Sequence, residues 1–303
     1  EQEFSVKRLN CGRSTFWYAA KAAMPRKIYV PYLNCADSTD PFKDLNIPYE
    51  YYQLDDDLTP KGIAPSAKEA VLWINYYGDA SAEKIEQVCR RYKDSILLID
   101  HCHAFFSEPL HGVYNCYSMR KFFGVCDGAY LVADRLPELK LERADSAKYY
   151  SFILESIEKG TNAVYDRNLA NEERLHQEKA LEMSVVTQKI LKSIDYEGIR
   201  RKRWQNFLEL HQHLKGINAF PVNMESDTHM YYPLFVEHPR LRERLIENRI
   251  YTPTWWRHVP EYFQEETLEV RLARYMLMIP IDQRYGKTDR KEMADIILRE
   301  NRR

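Results

Sequence analysis

Glycine is scarce in this chain, and the spacing of its ten glycines among 303 residues excludes two common phosphate-binding motifs. No two glycines are spaced as Gly-x-Gly, so the fingerprint of dinucleotide-binding folds is missing. The phosphate-binding loop, Gly-x-x-x-x-Gly-Lys-Ser/Thr, is missing as well. Neither standard motif for binding a nucleotide is therefore present.

Neither sign of charge is in excess, since 44 Lys and Arg residues stand against 45 Asp and Glu residues. A net charge of −1 creates no global field that would attract nucleic acid or a membrane surface, so neither is an expected partner. No run is apolar and long enough to predict a segment that crosses a bilayer. The first ten residues lack the apolar core of a secretory signal, and we expect a cytoplasmic protein.

Cysteine is confined to the first half of the chain, and no pair has Cys-x-x-Cys spacing. A disulfide framework is not expected in a chain of this size, and a reduced cytoplasm fits better. The six cysteines are Cys11, Cys35, Cys89, Cys102, Cys116 and Cys126.

The His-Cys-His run at 101–103, with His111 and Cys116 nearby in sequence, suggests zinc as an alternative. Adjacent residues of a strand point to opposite faces, so His101 and Cys102 cannot easily share one metal ion. We therefore predict no metal site.

The first 135 residues alternate between strand-like and helix-like segments, which is typical of α/β proteins. Several apolar runs lack polar alternation, and such runs predict strands buried on both faces. These runs cover 27–33, 50–54, 70–78, 95–100 and 128–133. A helix is predicted to start at Ser81, because charges surround apolar residues 85 and 88.

The second half of the chain has a different character. From about 165 to 215 it is charged with helical apolar spacing, and a mixture of short strands and helices follows. Strands are predicted over 230–236 and 275–281, and helices over 239–249 and 289–301. We predict a large domain over 1–195 and a small C-terminal α+β domain, including the helical connector, over 196–303.

Asp100 closes the apolar run 95–100, which places its carboxylate at the carboxyl edge of the predicted sheet. Open α/β sheets bind ligands at that edge, and a charge there requires a cation or hydrogen bonds. A helix N-cap or a salt bridge at the end of the strand is the alternative interpretation.

Lys121 lies between "SMR" and "FFG", a partly apolar setting. Partial desolvation favours the neutral amine, which is a nucleophile able to form a Schiff base with an aldehyde. In the alternative interpretation, the stem of the lysine packs on Phe122 or Phe123 while its ammonium group reaches water.

The stretch "NCGRSTFWYAAKAAM" (10–24) predicts a helix after Gly12, with Ser14 or Thr15 as its cap. A helix N-terminus that follows a glycine is suited to bind an anion. A plain capped helix without a ligand is the alternative.

Taken in order, the anion site, Asp100 and Lys121 resemble the large domain of fold-type-I pyridoxal-phosphate enzymes. More closely, the chain resembles the DegT-type aminotransferases, the family that includes sugar-nucleotide aminotransferases. "IDHCHAFF" is similar to that family's Asp-x-x-Gln/His segment, and "INYYG" to its segment ending in Tyr-Gly. "RKFFGVCDGAYL" resembles its cofactor lysine with the following turn and strand, and "LMIPIDQRYG" the closing strand of its small domain.

This resemblance implies a mixed, mostly parallel seven-stranded sheet between helices, and pyridoxal 5'-phosphate as the cofactor. Lys121 would carry the cofactor as an internal aldimine and move the substrate proton, while Asp100 would pair with the pyridine nitrogen. His103 and Asn75 would hydrogen-bond the ring or its 3'-oxygen. The phosphate would be held by Ser118 and by the backbone around Gly12, Arg13 and Ser14, with the Arg13 side chain as a further contact.

Three positions depart from the family pattern. Ser118 lies three residues before the lysine rather than five, and the usual Gly-Glu-Gly-Gly turn is reduced to "CDGA". Cys35 occupies the place of the aromatic residue that stacks on the cofactor ring, so either Tyr32 replaces it or the stack is lost.

The stretch "TPTWWRHVPE" (252–261) suits a loop that faces the substrate, with Arg257 and His258 as candidate contacts. Core packing with a solvated Arg-His edge is the alternative. Tyr285, in "DQRYG", is a further candidate near a carboxylate clamp, or otherwise a tyrosine packed in a turn.

We therefore predict a homodimeric aminotransferase that moves an amino group from an amino acid, with glutamate the expected donor, to a keto or aldehyde acceptor. A sugar, including a nucleotide-linked one, is the expected acceptor class. A lyase or decarboxylase of the same fold would use the same lysine and aspartate, and a non-catalytic relative would keep the fold for binding or regulation.

Overall fold

The computed structural model describes residues 3–303, and a seven-stranded sheet dominates the first half of the chain. Glu1 and Gln2, with which the predicted large domain begins, lie outside the described residues. The strands are Ser5–Leu9 (β1), Lys27–Pro31 (β2), Tyr49–Tyr52 (β3), Glu69–Ile74 (β4), Ile96–Asp100 (β5), Tyr114–Ser118 (β6) and Ala129–Ala133 (β7).

The strand order across this sheet is β1-β7-β6-β5-β4-β2-β3. All neighbouring strands are parallel except for β7, which runs antiparallel to both β1 and β6. The predicted mixed, mostly parallel sheet is confirmed. Because the parallel strands end at one edge, their last residues lie close to one another.

Helices cover both faces of the sheet, which explains why its strands lack polar alternation. The helices of this half are Gly12–Ala23 (α1), Asp40–Asp44 (α2), Ala82–Arg91 (α3), Ser151–Lys159 (α4), Tyr165–Gln177 (α5) and Val185–Leu191 (α6). On β4, Ala70 and Leu72 share a core with α1, whereas Val71 and Trp73 share a core with α3.

The two helix starts predicted from the sequence have different outcomes. The Ser81 hydroxyl accepts a hydrogen bond from the Lys84 amide at 3.1 Å, so the predicted start of α3 is confirmed. The predicted cap of α1 is wrong, because α1 begins at Gly12 and Ser14 and Thr15 lie inside its first turn. The Ser14 hydroxyl donates to Asn10 Oδ1 at 2.6 Å instead.

The second half forms its own core around a two-stranded antiparallel sheet. Its elements are Tyr196–Leu214 (α7), Tyr231–Phe235 (β8), Leu241–Glu247 (α8), Leu268–Tyr275 (α9), Met276–Pro280 (β9) and Lys287–Asn301 (α10). Phe207 and Leu210 of α7 pack with Tyr232 of β8 and Ile297 of α10 in this core. The small α+β arrangement is as predicted, while the boundary at 195/196 stays a prediction.

A tight contact at Gly78 joins the two halves beside the carboxyl edge of the large sheet. The hydroxyls of Ser226 and Thr228 donate to the Gly78 carbonyl at 2.7 and 2.9 Å. Gly78 has a φ of +77°, and a Cβ there would lie 2.6 Å from the His103 carbonyl oxygen. Only glycine fits such a position without strain, so this contact fixes the second half against the sheet edge.

No helix within residues 3–303 has both the length and the apolar character needed to cross a membrane.

Candidate active site

A cavity of about 690 Å³ lies at the carboxyl edge of the sheet, beside the N-terminus of α1. Its size is typical of small-molecule sites. Six of the predicted site residues line it, namely Gly12, Arg13, Asp100, His103, Ser118 and Lys121. The other walls come from residues 34–38 after β2, residues 169–176 of α5, and Trp256.

Asp100 is the last residue of β5 and faces the cavity. Its Oδ1 accepts a hydrogen bond from the Cys102 amide at 2.8 Å, which fixes the direction of the carboxylate. It is neither the N-cap of a helix nor a member of an ion pair within the described residues. The carboxylate is therefore anchored on one side and remains able to meet a cationic group in the cavity.

Lys121 lies three residues beyond the end of β6, lines the cavity and is partly buried. Burial alone would lower its pKa, but Cys102, Cys35 and Asp100 together raise it by more, so the net pKa lies above that of an ordinary lysine. Burial also raises the pKa of both thiols. The net direction of this shift opposes the neutral amine expected from burial alone.

His103 contributes a neutral ring to the cavity. Burial, aided by the charge of Lys121, holds the pKa of His103 well below its usual value. Its ring stacks on Trp255 with centroids 4.4 Å apart, and Lys121 Nζ lies 5.9 Å from the Trp255 centroid. The loop from the second half thus places an aromatic wall against the sequence-predicted residues.

The N-terminus of α1 presents backbone amides to the same cavity. Its N-cap residue, Cys11, makes no side-chain capping bond, and the first turn contains no acidic residue. The first amides of a helix lack intrahelical partners, and the helix dipole favours an anion there. A Cβ at Gly12 would lie 3.2 Å from Cys102 Sγ, so glycine keeps this approach open.

The guanidinium of Arg13 is engaged within the protein. Its Nε lies 3.0 Å from Asp37 Oδ2, and its Nη1 donates to the His176 carbonyl at 3.0 Å. Its Nη2 donates to the Leu175 carbonyl. The backbone amide of Arg13 remains a candidate phosphate contact, whereas its side chain ties α5 to the start of α1.

Arg120 and Ser38 are among the cavity residues that the sequence analysis missed. Arg120 follows Ser118 by two residues, and this proximity to the predicted site was the available signal. Ser38 lies in a short 3₁₀ helix, Ala36–Thr39, and nothing in the sequence distinguishes it from other hydroxyls. The acidic side chains of α5 in the wall, Glu172 and Glu173, also carried no sequence signal.

Several predicted residues lie outside the cavity wall. Asn75 is fully buried, where its Nδ2 donates to the Ser107 hydroxyl at 3.3 Å and its Oδ1 accepts from the Ala80 amide. Ser14 is buried against Asn10. Their direct contact with a ligand stays a prediction.

The predicted substrate residues also lie beyond the wall. Arg257 is exposed, and His258 packs edge-on against Tyr262 with centroids 5.8 Å apart. Tyr285 lies at the rim of the core of the second half, where its carbonyl accepts a bond from Arg290. Of the loop 252–258, Trp256 lines the cavity instead.

The position expected to stack on a cofactor ring is filled by Cys35, which lines the cavity. Tyr32 is turned away from it, stacking on Tyr51 at 4.9 Å and packing against Phe263. Tyr32 is absent from the cavity wall, whereas the stack of His103 on Trp255 lies close to Lys121.

Residues 3–303 contain no group of three or more His, Cys, Asp or Glu side chains placed to hold a metal ion. His101 is buried outside the cavity wall, where its ring stacks on Tyr117, and burial lowers its pKa to about 3.

The residues of the cavity fit pyridoxal phosphate. Within the described part of the chain, three buried atoms on its wall lack a hydrogen-bond partner: His103 Nδ1, Ser38 Oγ and Arg120 Nε. Such atoms are costly to bury unless a ligand meets them. The amine of Lys121, the fixed carboxylate of Asp100 and the uncapped N-terminus of α1 match, in turn, the aldehyde, the ring nitrogen and the phosphate of this cofactor.

Comparison with known proteins supports this interpretation at the level of the fold. No family model and no curated protein matches the sequence. Spr1654 of Streptococcus pneumoniae, named as a sugar aminotransferase and solved in its PMP form, matches with a TM-score of 0.66 and 11% identity, covering 98% of this chain and 88% of Spr1654. The protein has the fold of an aminotransferase.

Two further solved structures agree. The sugar aminotransferase CalS13 from Micromonospora echinospora has a TM-score of 0.63 and 15% identity, over 96% of this chain and 86% of its own. A DegT DnrJ EryC1 StrS aminotransferase from Brucella abortus has a TM-score of 0.63 and 12% identity, over 98% and 86%. The similarity spans nearly the whole chain, and the predicted fold-type-I architecture is confirmed.

Proposed function

We propose that this protein is a pyridoxal-phosphate-dependent aminotransferase that moves an amino group from an amino acid to a keto or aldehyde carbon of a sugar. The observation that carries the proposal is the partly buried Lys121 amine in a cavity shared with Asp100 and the uncapped start of α1. The sugar aminotransferases of the same fold support the reaction type and the acceptor class.

Finer parts of the proposal concern the two substrates. Glutamate is the proposed donor, as in the family that the sequence resembles. A nucleotide-linked sugar is the proposed acceptor, and DesI, another protein of this fold, was solved in the presence of its TDP-sugar product.

When bound, the cofactor supplies an electron sink for the carbon that carries the amino group. Lys121 Nζ would bind the cofactor covalently and then take and return the proton of that carbon. The Asp100 carboxylate would hold a proton on the pyridine nitrogen, since its anchored Oδ1 keeps it directed into the cavity. The neutral His103 ring would offer its free Nδ1 to the cofactor, and its stack on Trp255 would exclude water from that side.

The phosphate would lie at the start of α1, held by the amides of Gly12 and Arg13 and by the Ser118 hydroxyl. Within the described residues, the Ser118 side chain forms no hydrogen bond although it is buried on the cavity wall. An uncapped helix start and a free hydroxyl on one wall form a site for a dianion.

The test is covalent attachment of the cofactor. We expect a visible absorption band when the parent protein binds pyridoxal phosphate, and borohydride reduction should fix the cofactor to Lys121, as located by mass spectrometry. Lys121→Ala should lose both signals. Lys21→Ala, which removes an exposed lysine on α1, should keep both.

The outcomes separate the functions. No band in either the parent or the Lys21→Ala variant at saturating cofactor would refute an enzyme of this type and favour a binding or regulatory protein. A band at Lys121 without conversion by glutamate or any other amino donor would favour a lyase or decarboxylase reaction.

We also propose a homodimer, as the family resemblance implies. Leu154 and Ile157 of α4 and Tyr165 and Leu169 of α5 are exposed although they are large and apolar. Leu169 lines the cavity as well, so this surface adjoins the site. Light scattering of the purified protein tests the dimer, and a monomer at micromolar concentration would contradict it.

A further inference from the structure

Two arginines line the cavity, and they differ in how far their donors are used. The Nε of Arg13 pairs with the Asp37 carboxylate. Its Nη2 and Nη1 donate to the carbonyls of Leu175 and His176, respectively. A guanidinium has five N–H donors in a fixed fork, and this one is committed on all three nitrogens. These contacts leave at most two of its N–H donors for a ligand.

Arg120 makes fewer hydrogen bonds to the protein than Arg13. Its Nη2 pairs with Glu172 of α5, while its Nε is buried without a partner in the part of the chain that the structure describes. The Arg120 side chain is 15% exposed, whereas that of Glu172 is 50% exposed. A mostly buried cation is thus paired with a half-exposed anion that solvent stabilises well without it.

The position of Arg120 places it among the groups that suit a phosphate. It lies between Ser118 and Lys121 in sequence and shares the cavity wall with Gly12 at the start of α1. The planar fork of arginine binds phosphate through paired, charge-assisted hydrogen bonds. A phosphate would satisfy the unpartnered Nε and replace the exchangeable bond to Glu172.

We propose that Arg120 binds the phosphate group of the cofactor. In the protein without cofactor Arg120 is paired with Glu172, and the phosphate takes the place of the Glu172 carboxylate. This inference rests on the proposed function, because it takes pyridoxal phosphate as the ligand. It assigns the phosphate contact to Arg120 rather than to the side chain of Arg13. Because Glu172 belongs to α5, cofactor binding would also release this contact between Arg120 and α5.

The experiment compares pyridoxal phosphate with pyridoxal, which lacks the phosphate. Absorption titration gives the apparent Kd of each compound. The Kd of pyridoxal divided by the Kd of pyridoxal phosphate measures how much the phosphate contributes to binding. In Arg120→Gln we expect this ratio to fall by about 10- to 100-fold, with the Kd for pyridoxal little changed, as expected for losing charged hydrogen bonds. Arg26→Gln is the control, because it removes an exposed arginine outside the cavity wall, and its ratio should change less than about threefold.

A second variant addresses Glu172. Glu172→Gln keeps the size of the side chain but removes the competing charge, so the affinity for pyridoxal phosphate should rise by about two- to fivefold, the range of weak exposed ion pairs. Glu158→Gln removes an exposed acid on α4 and should leave it unchanged. An unchanged or weaker affinity in Glu172→Gln would overturn the exchange of Glu172 for phosphate.

Failure of this inference is distinguishable from failure of the proposed function. If the parent attaches neither compound to Lys121, the proposed function fails. If the parent attaches both and Arg120→Gln keeps the full ratio, the assignment of Arg120 is overturned. If Arg120→Gln also fails to bind pyridoxal, Arg120→Lys provides the test, since lysine keeps the positive charge without the planar fork. A ratio between those of the parent and Arg120→Gln supports the assignment. A ratio equal to that of the parent overturns it.

Discussion

The cavity has two walls of different origin. The sheet-edge wall consists of Gly12, Asp100, Ser118 and Lys121, at or close to the ends of backbone elements. The covering wall consists of residues 169–176 of α5 and of Trp256 in the loop 252–258. The first wall is positioned by strand register and helix starts, and the second by side-chain contacts over long stretches of sequence.

The two walls therefore serve different roles: the sheet-edge wall carries the reacting groups, and the covering wall closes the cavity. Groups on the sheet-edge wall are fixed by backbone hydrogen bonds, as when the Asn75 amide donates to the Asp100 carbonyl at 3.0 Å. The covering wall depends on contacts such as Arg13 with the end of α5 and His103 with Trp255. Changes in the first wall should therefore alter the reaction, and changes in the second should alter stability, closure and access.

The largest effect is expected for Asp100→Asn. Asparagine has the same shape and its Oδ1 can accept the Cys102 amide, so the fold and covalent cofactor binding should persist. Loss of the charge that holds the ring proton should lower the single-turnover rate of amino transfer by about 10²- to 10³-fold. Rapid-mixing absorbance measures this rate, with exposed Asp94→Asn as the control. A loss below tenfold would show that the sheet-edge carboxylate is not a catalytic group.

Trp256→Ala tests the covering wall by its effect on stability. Trp256 is 6% exposed and packs edge-on against Tyr76 at 5.8 Å. We expect the free energy of unfolding to fall by about 3–5 kcal/mol, as for other buried aromatic truncations. Urea denaturation followed by fluorescence and circular dichroism measures it.

Ser118→Ala supplies the contrast from the sheet-edge wall. Its hydroxyl forms no hydrogen bond among the described residues, so its loss should change the free energy of unfolding by less than about 1 kcal/mol while weakening cofactor binding. Equal destabilisation by the two variants would remove the distinction between the walls.

A smaller effect concerns pH. Because the net pKa of Lys121 is raised, its amine is protonated at neutral pH, and only the neutral form attacks an aldehyde. The rate of pyridoxal attachment should therefore rise about tenfold per pH unit and continue to rise beyond the usual lysine pKa of about 10.4. Asp100→Asn removes the neighbouring charge, so its plateau should move to lower pH. A parental plateau below pH ~10 would contradict the raised pKa.

The sheet-edge wall is the part that the sequence could predict. Uninterrupted apolar runs mark strands buried on both faces, so the end of the run 95–100 is enough to place Asp100 at a sheet edge. The uncapped start of α1 was only partly predicted, because Ser14 and Thr15 are typical capping residues. Their hydroxyls instead donate to Asn10 Oδ1 and to the Gly12 carbonyl.

The covering wall could not be predicted, because its contacts join distant segments. The charged pattern of α5 predicts a helix but does not indicate which face meets Arg13 and Arg120. In the loop 252–258, the sequence marked Arg257 and His258 as candidate contacts, whereas the structure turns Trp256 to the cavity at a φ of +56°. Such a backbone conformation is rare for a tryptophan and has no local sequence signal.

The smallest effect is expected where the two walls meet, at Arg13. Lysine keeps the charge near Asp37 but cannot donate in parallel to the carbonyls of Leu175 and His176, so Arg13→Lys should loosen the end of α5. We expect hydrogen exchange in peptides covering 172–179 to accelerate by about tenfold or less, without change in α3. Mass spectrometry of exchanging amides measures it. Unchanged exchange there would mean that α5 is held by apolar packing rather than by Arg13, and that the covering wall does not depend on the start of α1.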